Sequence, residues 1–197
     1  MNRIGLFGGS FDPVHKAHVA LALVALTQLQ LDEVRWVPAG QPWQKTRELA
    51  AAPHREAMVR LAIANEPRFL IETRELRRKS PSYTLDTVRE LQTAEPGKAW
   101  FLIIGQDQYA GLHTWRDWRE LLALVTLAVA ERPGAALPDP EVLRSAHRAV
   151  ALPMMDVSST GIRERIAAGL PIADLVPAAV ARYIELHHVY PQPPPRS

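Results

Sequence analysis

Cysteine is absent from this 197-residue chain, which excludes disulfides, thiolate-held metals and a cysteine nucleophile together and fits a reducing compartment. Long apolar runs are absent too. No stretch approaches the roughly 18 consecutive apolar residues of a membrane-spanning helix, and the opening Met1-Asn-Arg-Ile-Gly-Leu-Phe7 is too short for a signal peptide. Net charge is also small: 23 Lys+Arg against 21 Asp+Glu leave +2 at pH 7, so duplex nucleic acid is not a favoured partner. What remains is 47 % hydrophobic and 22 % charged residues, enough chain to bury a core as one domain. A soluble cytoplasmic protein is expected, with no membrane attachment.

Apolar runs of strand length recur at 4–7, 34–38, 69–71, 100–104, 125–130 and 149–152. Helical patterns separate most of them, at 17–30, 53–65, 84–93, 115–124, 140–147, 160–168 and 177–187. Strands alternating with helices predict an α/β fold, a doubly wound and mostly parallel sheet covered on both faces. Pro53 and Pro177 suit first helical turns, while Gly169 and Pro171 suit a stop. The tail Pro191-Gln-Pro-Pro-Pro-Arg-Ser197 cannot form a ladder or a helix and is expected to be disordered, of polyproline character, leaving 1–190 as a single domain. In such a sheet the ligand lies beyond the carboxyl ends of the strands, at the point where strand order reverses.

The loop after the first strand carries the strongest signal. Gly8-Gly-Ser-Phe-Asp-Pro-Val-His-Lys-Ala-His18 puts a paired-glycine turn and two histidines at a helix start. Glycines admit a ligand close to backbone N–H groups, and the helix N-terminus adds free donors and about half a positive charge, so the combination suits phosphate. His15 and His18, three apart, share a helix face. Zinc would need further ligands, and Asp12, Asp107 and His113 lack ligand-like spacing, so phosphate contact ranks above metal ligation and no protein-held metal is assigned. A second cradle follows the sixth strand: in Val157-Ser-Ser-Thr-Gly-Ile-Arg-Glu-Arg-Ile166, Ser158 or Ser159 can cap a helix and Arg163 presents a planar fork to phosphate oxygens. Taken together the two cradles suit a polyphosphate. The run Arg74-Glu-Leu-Arg-Arg-Lys79 reads as a solvated loop, Trp118 as core, and Trp115 as a candidate to stack on a flat ring.

The two motifs resemble those of the HxGH-type nucleotidyltransferase superfamily. Pro42-Trp-Gln-Lys45, His54-Arg55 with Met58, Ser82-Tyr-Thr-Leu-Asp-Thr87, Ile104-Gly-Gln-Asp107, Trp115 to Trp118, Arg132-Pro-Gly134 and the segment 180–190 narrow the likeness to the bacterial nicotinate-nucleotide adenylyltransferases, over nearly the whole chain. The resemblance implies a Rossmann-like nucleotidyltransferase fold and transfer of adenylyl from ATP to nicotinate mononucleotide, giving deamido-NAD and pyrophosphate in NAD biosynthesis. It also implies Mg²⁺ bound mainly through ATP phosphates. By the same resemblance, His15, His18 and Arg163 would be catalytic. Gly8, Gly9, Ser10, Phe11, Gly105, Asp107, Arg132, Ser158, Ser159 and Thr160 would hold ATP, and Lys45, Tyr83, Thr84 and Trp115 the mononucleotide.

The chain departs from the family pattern in having Ala17 for the glycine between the histidines, Gln44 for the usual histidine before Lys45, and Gln106 for a small residue before Asp107. Adjusted pocket packing is expected from these, not lost activity. Nicotinamide mononucleotide and pantetheine phosphate are the alternative acceptors, and a non-catalytic nucleotide-binding module is the alternative of another class. No surface signature separates monomer from homo-oligomer.

Overall fold

Strand residues that alternate in side-chain direction bury both faces of one sheet here. A computed structural model describes residues 2–40, 48–131, 136–153 and 155–191, so Lys45, Arg132 and residues 192–197 of the tail lie outside the described residues. The elements run β1 (Arg3–Gly9), α1 (Lys16–Gln28), β2 (Glu33–Pro38), α2 (Ala52–Ile63), β3 (Phe69–Ile71), α3 (Arg74–Arg77), α4 (Thr84–Ala94), β4 (Ala99–Gly105) and α5 (Gln106–Ala110). A 3-10 turn (Leu112–Thr114), α6 (Trp118–Leu124), β5 (Thr126–Ala130), α7 (Pro140–Leu143), β6 (His147–Val150), α8 (Ser159–Ala167) and α9 (Ala178–Leu186) follow. The order across the sheet is β3-β2-β1-β4-β5-β6, with every pair parallel.

The period of two along each strand divides the core. Phe101 and Ile103 of β4 face a cluster with Leu26 of α1, Met58 of α2, Ile162 of α8 and Ile184 of α9. Trp100, Leu102 and Ile104 face the other layer, with Leu85 and Leu91 of α4, Leu121 of α6 and Val142 of α7. Burial on both sides explains why these strands read as nearly continuous apolar runs. No helix among the described residues is long and apolar enough to cross a membrane.

Four sequence expectations are corrected. The helix expected over 115–124 begins only at Trp118, because Asp117 takes a left-handed backbone (φ 49°) after the 3-10 turn and interrupts it. The helix over 140–147 is one turn long, since His147 already starts β6. β6 itself sits two residues earlier than expected: it is an edge strand of which only Val150 is buried, so its hydrophobic signal is weak. The basic run after β3 is not simply a solvated loop, because Arg74–Arg77 forms α3 and Glu75 within it is buried. Trp118 is core, as expected.

Candidate active site

β1 and β4 lie side by side where the strand order reverses, so Gly8 and Gly9 at the end of one and Gly105 at the end of the other open onto the same space. That space is a cleft of about 550 Å³, in the range of small-ligand sites. Gly8 is exposed, and a Cβ placed on it would have nothing nearer than the Val37 carbonyl at 4.0 Å; a side chain there would occupy the cleft itself.

The segment from Ser10 to His15 turns sharply: Phe11 has φ 47° and the Asp12–Pro13 peptide is cis. Phe11 is fully buried, its ring T-shaped to that of His18 with 5.2 Å between centroids, and Phe7 stands beside both. His15 and His18 stack at 3.6 Å between ring centroids. Burial lowers the His15 pKa to about 4, and burial, then the charge of His15, holds His18 well below its usual value. Both rings are therefore neutral near pH 7 in the free protein. The His15 backbone N–H donates to His18 Nδ1 at 3.2 Å, so the neutral His18 ring carries its proton on Nε2, as a hydrogen-bond donor.

About 150 residues later, α8 is fastened onto this loop. Ser158 caps the helix by accepting from the Gly161 N–H at 3.1 Å. The Ser159 hydroxyl donates to the Pro13 carbonyl at 2.9 Å, and Arg163 donates to the Asp12 carbonyl at 2.6 Å and to the Thr160 hydroxyl at 3.1 Å. The free N–H groups at the start of α8 and a guanidinium thus border the same cleft as the two imidazoles. Asp12 Oδ1 accepts from the Tyr190 hydroxyl at 2.7 Å, which ties the last helix's exit to the same loop.

Among the expected residues, the wall brings together Gly8, Gly9, Ser10, His15, His18, Gly105, Asp107, Thr84, Trp115, Ser158, Ser159, Thr160 and Arg163. Ala17 joins them. Phe11 is in the core beneath His18, and Tyr83 is outside the wall, its ring covered by the Arg116 guanidinium at 4.8 Å. Lys45 and Arg132 fall outside the described residues.

In the sequence Arg55 serves only to mark the family resemblance and Glu75 falls within the basic run, neither with a role of its own. Arg55, only 2 % exposed, donates to the carbonyls of Ser10 (3.0 Å), Ala39 (2.6 Å), Gly40 (3.3 Å) and Ala50 (2.9 Å). Its position on the buried face of α2 was the available signal, since a charged residue with helical core spacing needs partners inside. Glu75 had no such signal in a run of basic residues.

The description "Cytidylyltransferase-like" fits a family model that matches residues 6–165. A protein of Methylibium petroleiphilum named "Probable nicotinate-nucleotide adenylyltransferase" is 54 % identical over 97 % of this chain and 93 % of its own length. The chain belongs to the nicotinate-nucleotide adenylyltransferase family. A relative of the same name from Albidiferax ferrireducens is 49 % identical, over 96 % of this chain and 98 % of its own. A solved structure described as Plasmodium falciparum nicotinic acid mononucleotide adenylyltransferase complexed with NaAD superposes with a TM-score of 0.79 at 21 % identity, covering 96 % of this chain and 98 % of that one. That likeness establishes a fold shared with a member of the adenylyltransferase family far removed in sequence.

Proposed function

We propose that this chain transfers the adenylyl group of ATP to nicotinate mononucleotide, producing deamido-NAD and pyrophosphate, as a single transferase domain working in the cytoplasm. The observation that carries the reading is the fastening of α8 onto the first loop, which faces the donors of both motifs into one cleft. The curated relatives, which bear the adenylyltransferase name over nearly their full length, support it.

The acceptor phosphate is already anionic at neutral pH, so no protein nucleophile or strong base is required and catalysis reduces to in-line placement and charge neutralisation. Gly8, Gly9 and Ser10 offer backbone donors to the ATP phosphates. His18, through Nε2–H, and His15 bind the phosphoryl group as it transfers, and the phosphate charge raises the proton affinity of both rings as pyrophosphate departs. Ser158, Ser159, Thr160 and Arg163 hold the β- and γ-phosphates. Gly105 and Asp107 approach the ribose; Arg132, assigned to ATP by the family resemblance, lies outside the described residues. Thr84 and the N–H groups at the start of α4 receive the nicotinate carboxylate, Trp115 stacks on the pyridine and Tyr83 contributes its backbone; Lys45, assigned to the mononucleotide phosphate by the family resemblance, lies outside the described residues.

Mg²⁺ fits this donor set as a phosphate-borne ion. The wall is rich in N–H, hydroxyl and guanidinium donors, and among the described residues no three His, Cys, Asp or Glu side chains group to hold a metal. When bound, it would neutralise charge on the departing phosphates.

The test is pyrophosphate release from ATP and Mg²⁺ with nicotinate mononucleotide, nicotinamide mononucleotide or pantetheine phosphate. Preference for the first is expected. Preference for another acceptor overturns the acceptor assignment, and silence with all three despite ATP binding overturns the enzyme.

A further inference from the structure

The acceptor side of the cleft contains a buried carboxyl to which the transfer reaction gives no task. Glu75 on α3 is 8 % exposed yet stands in the cleft wall with Ser82, Thr84 and Thr87. Its Oε1 accepts from the Thr87 hydroxyl, in the first turn of α4, at 2.7 Å. The same Thr87 oxygen accepts from the Arg78 guanidinium at 2.9 Å, and Arg78 pairs with Glu90, one turn further along α4, at 2.8 Å. Burial pushes the Glu75 pKa up, against the Thr87 hydroxyl and the Arg78 charge. Holding an ionisable group there carries a cost that an apolar side chain would not.

The backbone on the other side of Glu75 is equally constrained. A Cβ on Gly40 would lie 2.0 Å from the Glu75 carbonyl oxygen, so the chain leaving β2 presses directly on α3. Gly40 in turn is held by Arg55, which also holds Ser10 of the phosphate loop. α3 is thus held between the chain leaving β2 and the first turn of α4.

We infer that Glu75 is a positioning residue for the acceptor: through Thr87 and Arg78 it sets where the N-terminus of α4, with Thr84, stands in the cleft. It acts on the affinity for the anionic pyridine substrate and not on that for ATP. The inference rests on the acceptor assignment proposed above. Its energetic content is one buried hydrogen bond donated by the Thr87 hydroxyl.

Steady-state kinetics of the full chain with ATP, Mg²⁺ and nicotinate mononucleotide test it. Glu75→Ala is expected to raise KM for the mononucleotide about tenfold, with KM for ATP within about twofold. Glu75→Gln, which keeps an acceptor oxygen for Thr87, is expected to stay within about threefold of wild type on both. Thr87→Val removes the hydroxyl at constant volume and is expected to show the alanine pattern, which decides the matter should Glu75→Ala fail to fold. Equal rises in both KM values, no rise in either, or a glutamine variant as impaired as the alanine one overturns the inference. Wild-type protein inactive on nicotinate mononucleotide overturns the proposed acceptor first, and this inference with it.

Discussion

On the phosphate side of the cleft the groups being fixed are backbone carbonyls, those of Ser10, Asp12 and Pro13, and the groups fixing them are Arg55, Arg163 and Ser159. On the acceptor side, side chains hold one another: Thr87 binds Glu75, and Arg78 binds Thr87. The first arrangement freezes main-chain donors that, in the proposed function, meet phosphate oxygens at fixed points. The second can be retuned one residue at a time. The two sides also carry titratable groups of opposite pH behaviour, neutral histidines lowered by burial on one and a carboxyl raised by burial on the other.

The largest expected effect falls on the phosphate side. Arg163→Ala removes the tether to Asp12 and, in the proposed function, the fork on the phosphates, and should cut kcat about 10²- to 10³-fold at saturating substrate, read by pyrophosphate release. A defect confined to acceptor KM would erase the contrast between the two sides.

Next is acid stability. His15 stays neutral in the folded chain down to about pH 4, while in the unfolded chain it takes a proton near 6.5. Its contribution is therefore complete above pH 6.5 and is lost as pH falls toward 4, by about 3 kcal/mol. Thermal melts from pH 7 to 4 should show wild type losing more than His15→Gln; parallel losses would remove burial as the cause.

Trp115→Ala should raise KM for the mononucleotide about tenfold and leave that for ATP within about twofold; a selective ATP defect would move Trp115 to the other side of the comparison. Glu75 has the opposite sign from His15. With a raised pKa its stabilising contribution is present below the usual carboxylate range and lost as pH rises through its folded value. Glu75→Gln should therefore melt higher than wild type at pH 8, and a lower melting temperature would show the charge to be net stabilising. The smallest effect is expected for Ala17→Gly, at a residue of the cleft wall: KM for ATP should change by no more than about threefold, with a helix cost of roughly 1 kcal/mol.

The same contrast decides what was legible in the sequence. The sheet and its long helices were readable because β4 or α4 buries whole apolar faces, and hydrophobic period reports burial. The glycine turn and the Ser-Ser-Thr segment were readable because backbone-donor sites need particular residue types at fixed spacing. α3 and α5 were not, since a helix of four or five residues shows no period. The late start of α6 turns on the left-handed backbone of Asp117, a conformation that Asp adopts more readily than most residues but that no spacing in the sequence marks. Glu75 and Arg55 were hidden for a related reason. Their partners are a hydroxyl twelve residues on and carbonyls up to forty-five residues back, and no local spacing encodes such pairs.

The most direct measurement follows the α-phosphorus of labelled ATP through a single turnover with nicotinate mononucleotide. All of the label is expected in the dinucleotide and none in the pyrophosphate, with the bond to the β-phosphate broken. Label appearing in released phosphate or pyrophosphate, or ATP cleavage that proceeds equally without the acceptor, would contradict adenylyl transfer.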